Sequence, residues 1–272
     1  MTEKRGGSDV AHATDTVALK GEHDTDYALY GYKWFTSATD ADMSLALARL
    51  QDTSGNDIPG TKGLGLFYVR VRDEKGTLNK LKVVRLKDKL GTRQLATGEL
   101  LLDGTRAKLL APAGKGVKVI SDMLNVTRLH NSIGAVANMR RVVALSRDYS
   151  ERREAQGKKL NELPLYARTL GELEKAYRGH LVFLLEVGRL MGLMDAQKAT
   201  PLEASVFRFL TPLIKLFTAK DCMRLVSEGL ECFGGLGYLE DSKIPILLRD
   251  SQVYPIWEGT TNVLALDMVR AL

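Results

Sequence analysis

The sequence predicts an α+β chain in which a small antiparallel β domain, residues 1–110, precedes an α-helical bundle, residues 111–272. Two observations lead to this prediction. In the first part, short apolar segments with strand-like alternation follow one another and are separated by clusters of Asp, Gly and Asn. From about Gly114, apolar residues recur at spacings of three and four over many turns, which is typical of long helices.

Five segments predict the strands of the first domain. They are residues 27–37, 44–50, 63–71, 81–86 and 98–104. The first of these reads YALYGYKWFTS and carries alternating aromatic side chains. Because no helical segment lies between these runs, we expect successive strands to pair as an antiparallel sheet or barrel.

Three long segments predict the helices of the second domain. They are residues 116–158, 164–197 and 201–233. The second and third open at Pro164 and Pro201, where a missing N–H is tolerated, and the third is followed by Gly234. Long helices joined by short loops predict a bundle.

Composition limits the kinds of site and partner. The net charge of +6 is spread along the chain and weakly favours an anionic partner such as a nucleotide cofactor, coenzyme A or nucleic acid. Cys222, Cys232 and the four histidines lack metal-ligand spacing, so we expect no metal site and two buried thiols in a reducing, intracellular compartment. We also expect no membrane span, signal peptide or transit peptide.

Two stretches of the first domain are candidate ligand contacts. Gly6, Gly7 and Ser8 would let the backbone and a hydroxyl approach a phosphate, although a surface turn is the simpler interpretation. Trp34 and Thr36 share a face if the strand alternates regularly, and an indole beside a hydroxyl suits a planar ring. Taken alone, this pair is explained more simply as a core Trp next to a strand-favouring Thr.

A glycine cluster in the second domain is a further candidate. Residues 234–237 read Gly-Gly-Leu-Gly, but a helix precedes them, whereas the dinucleotide-binding fingerprint follows a strand. The stretch is therefore either the turn that ends a helix or a turn whose exposed amides face a phosphate.

Glu258 is the candidate general base. It lies in VYPIWEGTTN, residues 253–262, behind Ile256 and Trp257 and just before a helix that Thr260 or Thr261 would cap. A helix N-terminus favours a carboxylate, whereas an apolar setting disfavours it, and burial is the larger effect. A buried Glu258 would be a base poised for proton abstraction from carbon. A surface capping glutamate is the alternative, at even odds.

Six segments, taken together and in their order along the chain, resemble the acyl-CoA dehydrogenase family, most closely its AidB-type branch. The segments that carry the resemblance are MTEKRGGSDV, GYKWFTS, RLKDKLGTR, MLNVTRLHNSIGAVANMRR, FGGLGY and IWEGTTN. The whole chain is similar to the family's middle β domain and C-terminal helical domain. The resemblance implies that the family's N-terminal helical domain is missing, so we expect apolar surface to be exposed on the remaining helices.

The resemblance also implies a tightly bound FAD. Near the flavin ring it places Met1 and Thr2 at the ring edge, Trp34 as a shield of the isoalloxazine and Thr36 near N5. Along the nucleotide it places Ser8 at a phosphate oxygen, and Gly234 and Gly235 beside the adenosine diphosphate. Thr260 and Asn262, at the entry of the last helix, would contact the flavin nucleotide. Arg153 would reach the flavin nucleotide of a neighbouring subunit.

The implied reaction is α,β-dehydrogenation of an acyl-CoA thioester, in which Glu258 removes the α proton and flavin N5 accepts the β hydride. The family's other position for the base holds Thr127 here, so the assignment rests on Glu258. The implied partners are an acyl-CoA and further copies of the chain, as a dimer or tetramer. The electron acceptor, the acyl chain length and a mitochondrial or cytosolic location are left open.

Two alternatives remain at this point. One is a low-activity AidB-type flavoprotein that binds DNA or a fatty acyl ligand. Nucleic acid is not favoured, because DNA contact in that branch is attributed to a region beyond the end of this chain. The other is an inactive, truncated remnant.

Overall fold

The structure, a computed structural model, describes residues 2–51 and 54–272, so the predicted flavin contact of Met1 lies outside the described residues. The chain divides into two units. One comprises Met1–Lys89 and Arg93–Met123, and the other comprises Leu90–Thr92 and Leu124–Leu272. The first contains the large β-sheet and the second contains most of the helical residues.

Seven strands form the sheet of the first unit. They are β1 (Thr2–Glu3), β2 (Val17–Lys20), β3 (Asp26–Thr36), β4 (Met43–Leu50), β5 (Leu64–Arg70), β6 (Leu81–Leu86) and β7 (Gly98–Ala111). The five predicted segments all form strands, and β7 extends seven residues beyond the predicted end at 104. The short strands β1 and β2 were not predicted.

The sheet closes into a barrel. Its order is β1-β3-β2-β4-β5-β7-β6, and an additional β3–β7 pairing joins the sheet to itself. Every pair in it is antiparallel except β2–β4, which is parallel. The barrel core is built by inward-facing apolar side chains of the paired strands, including Leu29, Phe67, Val69, Leu100 and Leu102.

The described residues contain six α-helices. They are α1 (Val10–Ala13), α2 (Gly116–Arg152), α3 (Pro164–Asp195), α4 (Pro201–Glu231), α5 (Ile244–Ser251) and α6 (Thr261–Val269). The prolines at the starts of α3 and α4 lie in the first turn, as predicted. The N-cap Thr200 and Glu203 form a reciprocal capping box at the start of α4.

The end of α2 and the start of α5 differ from the sequence-based expectation. The helix predicted over 116–158 ends at Arg152 and is followed by a hairpin of β8 (Glu154–Ala155) and β9 (Lys158–Lys159). Gln156 and Gly157 have φ of +55° and +75°, which is the geometry of a tight hairpin turn. Helix α5 was not predicted, because its eight residues are too short to show a clear helical period.

The helices of the second unit pack through two apolar clusters. One centres on Met139, Leu173 and Leu225, and the other on Leu129, Val187 and Ile214. At Gly229 a Cβ atom would lie 2.2 Å from Val142 Cγ2, so glycine lets α4 approach this side chain closely. No helix in the described part of the chain is long and apolar enough to cross a membrane.

Candidate active site

In the first unit, β1 brings the predicted ring-edge residue next to the end of β3. Thr2 pairs with Phe35, and Glu3 pairs with Lys33. The pairing of β3 with β7 changes register between Lys33 and Thr36, so the regular alternation assumed from the sequence is interrupted here. As a result Phe35, which the sequence analysis did not select, is 47% exposed, whereas Thr36 is only 8% exposed.

Trp34 lies beside a cavity of about 530 Å³, which is lined by Glu3, Lys4, Asp15, Tyr32, Trp34, Arg85 and Glu99. The Lys87 ammonium lies 3.1 Å from the centroid of the indole, in cation–π geometry. The same ammonium lies 5.0 Å from the centroid of Phe35, but Phe35 is 47% exposed and Trp34 is less so, so Phe35 offers the more accessible aromatic surface at the end of β3.

The hydroxyls at the end of β3 differ in their partners. Thr36 Oγ1 is buried and has no hydrogen-bond partner among the described residues. The neighbouring Ser37 is exposed, and its Oγ accepts a hydrogen bond of 3.2 Å from Thr97. A buried hydroxyl without a partner is unusual in a folded protein, so the unused bonding capacity of Thr36 is consistent with a polar ligand at this strand end.

At the cavity beside Trp34, the negative charge of Glu99 is balanced by neighbouring cations. The Glu99 carboxylate accepts hydrogen bonds from Lys87, at 2.6 Å, and from Tyr32 and Arg85. The Lys87 and Tyr32 hydrogen bonds are the main causes that lower the pKa of Glu99 to about 2. Glu99 is therefore ionised at neutral pH and fixes the Lys87 ammonium against the indole.

A buried ion pair fixes β1 to β3. The Lys33 ammonium donates to Glu3 and both side chains are almost completely enclosed. Glu3 also accepts from Thr16 Oγ1 at 2.6 Å and from the Asp15 amide at 2.6 Å. Burial opposes the charge on Glu3, but Lys33 and these hydrogen bonds outweigh it and lower its pKa. The pair therefore holds Thr2 beside Phe35.

The predicted phosphate-binding turn is exposed. Ser8 lies at the surface, immediately before Asp9, which caps the four-residue helix α1. The turn is accessible to a ligand, but nothing in its own contacts distinguishes it from an ordinary helix-entry turn.

In the second unit, Glu258 lies in a turn with unusual backbone geometry. Its φ is +58°, and Gly259 has φ of +97°. A left-handed conformation costs a non-glycine residue energy, and such residues cluster in tight turns and at functional sites. The side chain is half-buried, and Thr127 Oγ1 of α2 donates a hydrogen bond of 2.6 Å to Glu258 Oε2.

Side chains from two helices hold this turn. Trp257 Nε1 donates to the Asn131 side-chain oxygen on α2. Lys215 of α4 donates through Nζ to the Gly259 carbonyl at 2.6 Å. The turn on either side of Glu258 is thus fixed, and the carboxylate itself is oriented by Thr127.

The remaining predicted nucleotide contacts lie at the surface of the second unit. Thr260 occupies the N-cap of α6 without a side-chain capping hydrogen bond, and Asn262 is exposed in the first turn. Arg153 is exposed just after α2. Gly234 and Gly235 are exposed in a 3₁₀ turn, and a Cβ at either would meet no atom within 4 Å. All five are accessible from solvent.

For the reaction that the family resemblance implies, we predict that Thr127→Val lowers the rate of flavin reduction by an acyl-CoA about tenfold or more, because a hydrogen bond to a charged group contributes about 1.5–3 kcal/mol. The measurement is stopped-flow absorbance of the flavin. Thr169→Val removes the hydroxyl of a half-buried threonine on α3 that donates to a backbone carbonyl, and serves as the control. An unchanged rate in Thr127→Val would show that this contact does not orient the base.

Comparison with known proteins identifies the family. Models of the acyl-CoA dehydrogenase middle domain and C-terminal domain match residues 1–105 and 114–272. Acyl-CoA dehydrogenase family member 11 from Caenorhabditis elegans is 52% identical over 270 residues, which are 99% of this chain and 44% of that protein. AidB from Escherichia coli strain K12 is 35% identical over 272 residues, 100% of this chain and 47% of that protein.

The fold comparison agrees. The crystal structure of Caenorhabditis elegans ACDH-11 in complex with C11-CoA has 52% sequence identity and a TM-score of 0.97, over 100% of this chain and 46% of that one. The chain spans about half the length of the curated relatives it matches. The predicted fold and family are therefore confirmed, and the chain belongs to the acyl-CoA dehydrogenase family.

Proposed function

We propose that this chain carries the base and the flavin-contacting strand of an FAD-dependent acyl-CoA dehydrogenase that oxidises the α,β bond of an acyl-CoA thioester. The observation that carries the proposal is the Glu258 carboxylate, hydrogen-bonded by Thr127 in a turn with left-handed backbone geometry. The C11-CoA complex of the Caenorhabditis elegans relative supports an acyl-CoA as the ligand class.

Features of the described residues support FAD as the cofactor. In the first unit, Thr2, Trp34 and the exposed Phe35 lie together at the end of β3, next to the unpartnered Thr36 hydroxyl. An exposed aromatic surface beside unsatisfied polar groups suits a planar heteroaromatic ring. In the second unit, the open turn at Gly234 and Gly235 and the exposed Thr260 and Asn262 would hold the nucleotide part.

The residues have separate tasks in the proposed reaction. When bound, FAD supplies the electron-accepting chemistry. Glu258 accepts the α proton of the thioester, and the Thr127 hydroxyl holds Oε2 so that the other oxygen can face the substrate. The Glu258 backbone N–H polarises the thioester carbonyl and so stabilises the enolate-like charge that develops as the proton leaves.

Exposed apolar side chains support self-association. Helices α3 and α4 present large apolar groups to solvent: Leu165, Val182, Leu185, Leu202 and Phe217. We propose that part of this surface is covered in a homo-oligomer, because a monomer seldom exposes so many large apolar side chains. Analytical ultracentrifugation of the purified chain checks this, and a monomer over the whole concentration range would refute it.

We predict that Phe35→Ala weakens flavin retention and raises the fluorescence of bound flavin more than Trp34→Ala does. Lys87 lies closer to the indole than to the Phe35 ring, and Phe35 is the more exposed of the two. The measurements are flavin content after gel filtration and flavin fluorescence. Tyr30→Ala, which removes an aromatic ring that is 41% exposed in the middle of β3, is the control. A larger effect of Trp34→Ala would instead assign the shielding role to the indole.

The proposed activity is tested by steady-state dye reduction with a panel of saturated acyl-CoAs. We expect flavin-dependent turnover with at least one chain length. A chain that binds FAD but reduces no dye with any acyl-CoA would contradict the proposed reaction and leave only a cofactor-binding role.

A further inference from the structure

Lys215 is a completely buried lysine in the middle of α4. Lysine seldom occupies a position closed to solvent unless its charge has partners. The ammonium donates a 2.6 Å hydrogen bond to the carbonyl of Gly259, the residue after Glu258. The lysine is therefore anchored to the backbone of the turn that carries the proposed base.

Two charges act directly on this ammonium. The Glu258 carboxylate favours its protonated form, and the guanidinium of Arg128 on α2 opposes it. Arg128 is in turn paired with Asp267 of α6, at 2.8 Å, and Asp267 also accepts from Arg208 of α4 at 2.6 Å. Asp267 is thus engaged by two arginines, and Glu258 is the carboxylate that acts on Lys215.

We propose that Lys215 is a positioning residue for the base: its buried ammonium fixes the Glu258–Gly259 turn through the Gly259 carbonyl, and it does so as a cation that the Glu258 carboxylate attracts. This inference rests on the proposed function, in which Glu258 must be ionised to accept a proton. The hydrogen bond to the Gly259 carbonyl sets the direction of the turn.

The attraction between Lys215 and Glu258 depends on pH, because it requires a protonated lysine. Burial lowers its pKa to about 8, against an ordinary value of 10.5, even though Glu258 opposes the shift. Below about pH 8 the ammonium is charged and attracts the carboxylate. Above that pH the amine is neutral and the attraction disappears, while the packing around it is unchanged.

A double-mutant cycle of Lys215→Met with Glu258→Gln tests the charge coupling without any cofactor or activity. Thermal unfolding would be measured at about pH 6.5 and about pH 9.5, on either side of the Lys215 pKa. We expect Lys215→Met to lower Tm more in the wild-type background than in Glu258→Gln at the lower pH. At the higher pH the two shifts should become equal. A coupling that is zero at both pH values, or the same at both, would overturn the inference.

The pH dependence of flavin reduction by an acyl-CoA supplies the second readout. In the wild type the rate should change as the pH rises through about 8, where Lys215 loses its charge, and this change should be absent in Lys215→Met and Lys215→Gln, because neither side chain titrates. Gln can still donate to the Gly259 carbonyl, so it separates hydrogen bonding from charge. A Lys215→Gln enzyme with the wild-type profile would refute the electrostatic role.

Lys220→Met is the matched control, since Lys220 is an exposed lysine on the same helix. It should change neither the coupling nor the rate profile. If the wild-type chain shows no flavin reduction, the proposed function fails, but the unfolding cycle still decides whether Lys215 and Glu258 are coupled. If the cycle gives no pH-dependent coupling while the enzyme is active, only the role of Lys215 fails.

Discussion

Glu258→Gln should reduce the rate of flavin reduction by an acyl-CoA by at least about 100-fold, because general base catalysis contributes about 10²–10⁴ in rate. Glutamine keeps the shape of the side chain and can still hydrogen-bond Thr127, but it cannot take up the α proton. Flavin content should stay at the wild-type level, since the turn is held by the neighbouring contacts of Trp257 and Lys215.

The control for this experiment is Glu228→Gln, which neutralises an exposed carboxylate on α4 and should leave the rate unchanged.

A second experiment tests the contact between Thr127 and Glu258. Because Thr127 Oγ1 lies 2.6 Å from Glu258 Oε2, adding Thr127→Glu to Glu258→Gln should restore part of the lost rate from a carboxylate in the same space. An unimpaired Glu258→Gln enzyme would remove Glu258 from the mechanism.

Lys33→Met should destabilise the barrel by about 3–5 kcal/mol, because removing one partner of a buried ion pair leaves the other charge uncompensated. Glu3 would remain enclosed with only its hydrogen-bond donors, among them Thr16. The measurement is urea unfolding followed by circular dichroism. Flavin retention should fall as well, since this pair holds Thr2 beside Phe35.

The double variant Lys33→Met with Glu3→Gln should recover much of this loss, because no buried charge remains. Arg5→Ala breaks an exposed pair with Asp15 and should cost only about 0–1 kcal/mol. If Lys33→Met were no more harmful than Arg5→Ala, the pair would not anchor β1.

The same pair predicts an acid-sensitive barrel. The pKa of Glu3 is lower in the folded chain than its ordinary value of 4.5. A carboxyl whose pKa is lowered by folding adds stability above its ordinary value, and this contribution is lost as the pH falls. The free energy of unfolding should therefore decrease below about pH 4.5, and the decrease should be smaller in Lys33→Met with Glu3→Gln.

The fold could be predicted from the sequence because its long elements show clear periodicity. Three long helices and five strands lie where the apolar spacing placed them. The hairpin after α2 was not found, because its signal is a two-residue turn at Gln156 and Gly157 rather than a periodic pattern. Closure of the barrel through the β3–β7 pairing was not specified either, since it depends on contacts between distant segments.

The site was only partly predictable. Glu258 could be selected from its local neighbours, but its contact with Thr127 joins residues 131 positions apart. The exposure of Phe35 was missed because a register change at the end of β3 alters which side chains face outward, and alternation alone cannot reveal it. Lys215 gave no sequence signal, because a lysine in a helix is usually solvated.

The most direct test of the proposed function is the visible absorbance spectrum of the purified chain, recorded before and after anaerobic addition of an acyl-CoA. If the chain holds FAD next to a substrate whose α proton Glu258 removes, the spectrum should show bound oxidised flavin that is bleached by the acyl-CoA. A chain that remains colourless after incubation with FAD, or whose bound flavin stays oxidised with every acyl-CoA, would contradict it.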